Sequence, residues 1–436
     1  MGQPPIHKGL TVPELLIKGG RLIDPAQQID QAADLLIEDG RIAGIGQFDA
    51  ADEVIDAAGL IVAPGLIDMH VHFREPGKEE EETIASGSAA AVAGGFTTVA
   101  AMPNTEPTVD NEAAVAFQHR QAERAGLARL AVIGAVSVGR AGERLAEIGQ
   151  MCRAGAVAFS DDGECVRNAR LMRAALQYAS MFGKPIIDHC EDRDLAGSGV
   201  MHAGLWSVKL GLGGIPAAAE EIMVARDLTL AEATGGRLHL AHVSTAGSVE
   251  LVRRAKAGCV PVTCEAAIHH LVLTDQCVET FDPNFKMNPP LRGEADVAAL
   301  RAAVADGTID TIVSDHAPHA LEEKEVEFTY APFGVIGLET TLAVLVTRLI
   351  EPGVLTWPQA IAAMTCRPAR ILGLEAGTLE TGRPADVTLI DPKAEWTIDA
   401  TLFRSRSRNC PFHGWTVRGR ALVTVVGGEV KHDARA

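Results

Sequence analysis

Gly65-Leu66-Ile67-Asp68-Met69-His70-Val71-His72-Phe73-Arg74-Glu75-Pro76-Gly77 reads as a buried strand that ends in two histidines. Side chains at i and i+2 of an extended strand face one way, so His70 and His72 are spaced to clasp one cation. Arg74 continues the alternation onto the same face. Four more runs, each after a short β-rich stretch, repeat the arrangement. They are Asp161-Asp162-Gly163, His189-Cys190-Glu191-Asp192, His242-Val243-Ser244 and Asp315-His316-Ala317-Pro318-His319. Imidazoles and carboxylates so placed point to metal-activated water attacking a polarised carbonyl.

Around these runs the chain alternates strand and helix. Strands are expected at 66–72, 97–101, 130–136, 156–160, 185–189, 238–243, 259–264 and 310–314. Helices are expected between them, at 79–94, 110–125, 167–182, 216–234, 246–257 and 294–306 among others. Two more follow the last strand, at 336–350 and 357–372. Eight strands, most followed by a helix, predict an α/β fold, a TIM-type (β/α)8 barrel. A doubly wound sheet competes, but no Gly-rich dinucleotide fingerprint opens the alternation. Barrel active sites gather at the C-terminal strand ends, where the ligand runs follow strands 1, 4, 5, 6 and 8. Segment 320–334 is weakly periodic and reads as a loop over that site.

Both chain ends are β-rich. Asp39-Gly40 joins two apolar runs as a hairpin would, and 377–391 and 415–430 have the same look. The expected organisation is 1–63 and 375–436 combining into one small sheet domain around a barrel at 64–374. The 436 residues are 47% hydrophobic with mean hydropathy +0.12, as in a packed globular protein. The formal charge of −18 argues against a nucleic-acid partner or an anionic membrane, and no apolar run approaches the length of a membrane span. Eight cysteines without a paired CxxC pattern, and no secretory apolar region, read as reduced and mostly buried thiols of a cytoplasmic protein.

Borderline-soft imidazole with carboxylate favours Zn²⁺, although Mn²⁺ or Co²⁺ fit the same donors. Four imidazoles and two carboxylates exceed one four-coordinate site, which favours two metals over one and calls for a bridging carboxylate. Neighbouring strand residues face opposite ways, so one of Asp161 and Asp162 bridges; spacing alone leaves the choice open. His7, His119, His202 and His413 read as ordinary structural or solvated histidines.

The ordered motifs resemble dihydroorotases of the amidohydrolase superfamily over about residues 14–428. They are His70–Gly77, Met102–Thr105, Phe159–Gly163, His189–Asp192, Lys286-Met287-Asn288-Pro289-Pro290-Leu291-Arg292, Ser314–His319, Ala331–Gly334 and Gly377–Asp386. The resemblance implies reversible hydrolysis of dihydroorotate to N-carbamoyl-aspartate in pyrimidine synthesis. It implies a distorted (β/α)8 barrel with a composite β-sandwich from both chain ends. It selects Asp162 as the bridge, with His70, His72 and Asp315 on one metal and His189 and His242 on the other. Asp315 also takes the catalytic proton. Arg74 suits the substrate carboxylate by bidentate geometry, and the resemblance adds Asn104 and His319 to that clasp. Asn288 and the backbone of Phe333 and Gly334 then contact the pyrimidine ring.

Two stretches depart from the pattern without removing a ligand: Thr263–His270, and Asp188 just before His189. Rival readings are a hydantoinase or allantoinase, whose carboxylated lysine has no counterpart at strand 4, and a non-catalytic scaffold for aspartate transcarbamoylase. Homo-oligomerisation and docking on that transferase stay open.

Overall fold

The computed structural model describes residues 14–435, so His7 lies outside the described residues. Eight parallel strands pair in sequential order. They are β1 Leu66–Val71, β2 Phe96–Ala101, β3 Arg129–Gly134, β4 Ala158–Ser160, β5 Ile186–Asp188, β6 Leu238–Leu240, β7 Val262–Ala267 and β8 Thr311–Val313. The ring is nearly closed: Val71 bridges His316, His72 N donates to His316 O at 2.8 Å, and Ser314 N donates to buried Asp68 at 3.0 Å.

Period-two alternation sorts the strand side chains. Val99, Val132, Phe159, Ile186, Leu240 and Ile312 join the large core shared with the helices. The alternate residues Ala100, Ala131, Ile133, Ala158, Ile187 and Val313 form a separate cluster that fills the barrel interior. Alanine is the commonest residue in it, with Ile133, Ile187 and Val313 filling the space between.

A second sheet has eight strands and draws on both chain ends. Ile61–Pro64 pairs in parallel with Leu15–Asp24 on one side and antiparallel with Val387–Thr397 on the other. Its apolar side chains, Leu15, Ile17, Leu35, Val387 and Val425 among them, make their own core.

Several elements differ from the sequence expectation: the helices expected at 79–94 and 336–350 start at Ile84 and Thr341, and the 320–334 loop holds a short helix, Leu321–Lys324. β7 begins three residues late, because Pro261 cannot donate to the ladder, and runs on through Glu265. The expected helix at 357–372 is two, Trp357–Ala363 and Cys366–Leu372; Pro368 has no N–H for the carbonyl four residues back. The short helix Ile148–Arg153 stands between β3 and β4, too brief to reveal a period.

Candidate active site

The six expected ligands converge above the barrel, all buried. His70 lies in β1 and His72 just past it; Asp162, His189, His242 and Asp315 stand one or two residues beyond their strands. Thr245 Oγ1 caps the helix Ala246–Ala257, which fixes the turn that carries His242. His242 (φ 28°) and Asp315 (φ 49°) adopt left-handed backbone, which non-glycine residues seldom do.

Asp162 divides its two oxygens between two histidine pairs. Its Oδ2 is 3.5 Å from His70 Nε2 and 3.5 Å from His72 Nε2. Its Oδ1 is 3.2 Å from His242 Nε2 and 3.5 Å from His189 Nδ1. Asp315 Oδ1 is 3.3 Å from His72 Nε2 and 3.6 Å from His70 Nε2. Burial opposes ionisation of Asp162, but His70, His189 and His242 hold it well below the usual carboxylate range. Asp315 is likewise held low by His70 and His72 against burial. Asp161 is differently employed: its Oδ1 accepts from Val136 N at 2.9 Å and Ser137 N at 3.0 Å, and its Oδ2 from the Ser137 hydroxyl.

These residues fit a metal centre. His70 Nε2 is buried without a hydrogen-bond partner, yet faces two carboxylates, which is the situation a divalent cation satisfies. The other ring nitrogen of His70 is 2.5 Å from Glu265 Oε1, and His239 Nε2 is 3.1 Å from Glu265 Oε2. Glu265 is buried, which opposes its charge, but His70 and His239 bring it down to about 2. Such a carboxylate fixes the ligand's tautomer and orientation. Glu265 was missed in the sequence because it sits in the stretch that departs from the family pattern; a lone carboxylate in an apolar strand was the signal. His269, 3.9 Å from Asp315, was also missed; burial lowers it to about 4, so it is neutral. Asp188 faces away, toward Asp227, Arg226, Cys165 and Cys190.

A cavity of about 370 Å³ opens beside the ligands, a volume suited to a small molecule. Arg74, Asn104, Asn288, Phe333 and Gly334 line it. Arg74 Nε is held by Pro318 O and Glu81, each at 3.1 Å, which aims the guanidinium. Asn104 Oδ1 is 2.9 Å from His72 Nδ1, so it orients that ligand as well as lining the cavity. Asn288 donates to Glu191 at 2.8 Å, and its buried Oδ1 has no partner. Glu191 and Arg193 also line the cavity and were not singled out in the sequence.

Two of the expected contacts look different here. His319 is not among the lining residues: it stands behind the wall, with Nε2 donating to Phe333 O at 2.8 Å and Nδ1 3.2 Å from Glu323. Gly334 N–H is already given to Lys286 O at 2.9 Å, and Gly334 O accepts from Asn409 at 3.1 Å.

A family model described as Dihydro-orotase-like matches residues 59–248. The dihydroorotase of Pelotomaculum thermopropionicum is 54% identical over 419 residues, covering 96% of this chain and 98% of that protein. The dihydroorotase of Geobacter metallireducens is 52% identical over 419 residues, covering 95% and 99%. Among solved structures, the L-hydantoinase (dihydropyrimidinase) of Arthrobacter aurescens superposes with a TM-score of 0.86 at 29% identity, over 96% of each chain. By its barrel and its relatives, the chain belongs to the dihydroorotase family.

Proposed function

We infer that this protein hydrolyses (S)-dihydroorotate to N-carbamoyl-L-aspartate, and catalyses the reverse cyclisation, in de novo pyrimidine biosynthesis in the cytoplasm. The observation that carries the reading is one carboxylate, Asp162, flanked by two histidine pairs in a cavity that also holds Arg74. The names of relatives at 52–54% identity support it.

His70, His72 and Asp315 would hold one Zn²⁺, His189 and His242 a second, with Asp162 shared. Bound there, zinc would supply Lewis-acid polarisation of a carbonyl and a hydroxide near neutral pH. Asp315, kept ionised by His70 and His72, accepts the proton of the attacking water and returns it to the leaving ring nitrogen. Arg74 takes the substrate carboxylate through two parallel hydrogen bonds. The unpartnered Asn288 Oδ1 accepts a ring N–H. Phe333 and Gly334 form part of the cavity wall, against which the pyrimidine ring would rest.

The hydantoinase-type reading fits less well. Its likeness is one of architecture at lower identity, and no lysine lines the cavity among the described residues. The scaffold reading conflicts with a complete ligand set.

The test is dihydroorotate hydrolysis by the purified protein, with metal per chain quantified on the same sample. The expected result is turnover with about two metals, abolished by chelation and restored by Zn²⁺. Metal without turnover would redirect the assignment to hydantoins. Neither metal nor turnover would favour the scaffold.

A further inference from the structure

Lys286 and Lys324 are 2% and 5% exposed, and neither forms an ion pair among the described residues. Lysine is almost never buried without a partner for its charge, so what these two touch is informative. Lys286 Nζ donates to the carbonyls of Phe328 and Thr329, both at 2.9 Å. It also lies 4.7 Å from the centre of the Phe333 ring, within cation–π range. Lys324 Nζ donates to Pro332 O at 2.9 Å and to Pro283 O at 3.0 Å. The two ammonium groups thus tie the stretch 283–288, which leads to Asn288, to the stretch 328–334, which leads to Phe333 and Gly334. Asn288 and Phe333–Gly334 are walls of the cavity; neither lysine lines it.

We propose that Lys286 and Lys324 are positioning residues for dihydroorotate, holding the Phe333–Gly334 wall against the cavity by clamping main-chain carbonyls of the 320–334 segment. This rests on the reading of the cavity as the dihydroorotate site. A loop has no ladder of its own to hold its carbonyls, and a buried ammonium can serve several at once. Without it the carbonyls of Phe328, Thr329 and Pro332 turn to water, and the wall loosens. Burial pushes Lys324 down to about 7, and Lys286 down to about 8. Burial therefore disfavours the charged form of both, a cost that methionine, of similar length, removes, and the methionine variants are expected to fold.

Lys286→Met and Lys324→Met are to be compared with wild type, with Lys286→Arg as the charge-keeping control. The readouts are kcat and KM for dihydroorotate, metal per chain, and the rate of limited proteolysis within 320–334. The expected result is unchanged metal content, a KM raised about tenfold with a much smaller change in kcat, and faster cleavage within the segment. Lys286→Arg should recover part of the KM effect. KM within twofold of wild type in both methionine variants would overturn the proposal, as would metal loss that accounts for the defect. Absence of dihydroorotate turnover in wild type would defeat the functional reading instead. Cleavage rates would then still decide whether the lysines hold the wall.

Discussion

His70, His72, Asp162, His189, His242 and Asp315 stand on barrel strands or within two residues of their ends, whereas Asn288, Phe333 and Gly334 stand on long loops. The first group is anchored from below by strand hydrogen bonds and a buried carboxylate, Glu265, in contact with His70 and His239. The second is anchored sideways, loop to loop, through carbonyls held by Lys286, Lys324 and Asn409. The difference teaches where each kind of damage should register. Disturbing the rim should alter metal retention and kcat. Disturbing the wall should alter KM and leave the metals in place.

The largest effect that would sharpen this contrast is on Asp315. Asp315→Asn is expected to lower kcat by about 10²–10⁴-fold, the usual worth of a positioned proton carrier. Near-wild-type kcat with metals bound would remove Asp315 from proton transfer. Glu265→Gln comes next: metal affinity should fall by about 10–100-fold although the side chain touches no substrate. A titration of metal-free variant with Zn²⁺ reads it directly, and unchanged affinity would break the idea of a rim supported from below. Arg74→Lys should raise KM about tenfold by losing one of two parallel charged hydrogen bonds, with metal content unchanged. An equal fall in kcat and metal would assign Arg74 to the rim instead. The smallest effect is that of Ser137→Ala, which strips Asp161 of a hydroxyl donor. It should cost about 1 kcal/mol of unfolding free energy and leave kcat unchanged.

The rim was legible in the sequence because strand periodicity and barrel topology both constrain it. Short apolar runs ending in His or Asp mark strand ends, and a barrel gathers those ends at one face. The wall was less legible. His319 and the Gly334 backbone are turned to other partners by loop contacts that no local pattern encodes. Ser405 and Ser407 sit in an Arg-rich run, Arg404–Arg408, that looks solvent-facing from composition, yet both are buried against Glu82 and Glu81. Glu265 escaped notice because its reason for burial, His70, is 195 positions away in the chain. Asp161 and Asp162 could not be separated by spacing, since only their distant partners distinguish them: Val136 and Ser137 for Asp161, and the four histidines for Asp162.

The most direct measurement is metal per chain and dihydroorotate turnover for Asp161→Asn and Asp162→Asn, prepared side by side. Asp162→Asn is expected to lose metal and turnover together, while Asp161→Asn keeps both and loses only stability. Metal retained in Asp162→Asn but lost in Asp161→Asn would contradict the shared-carboxylate centre.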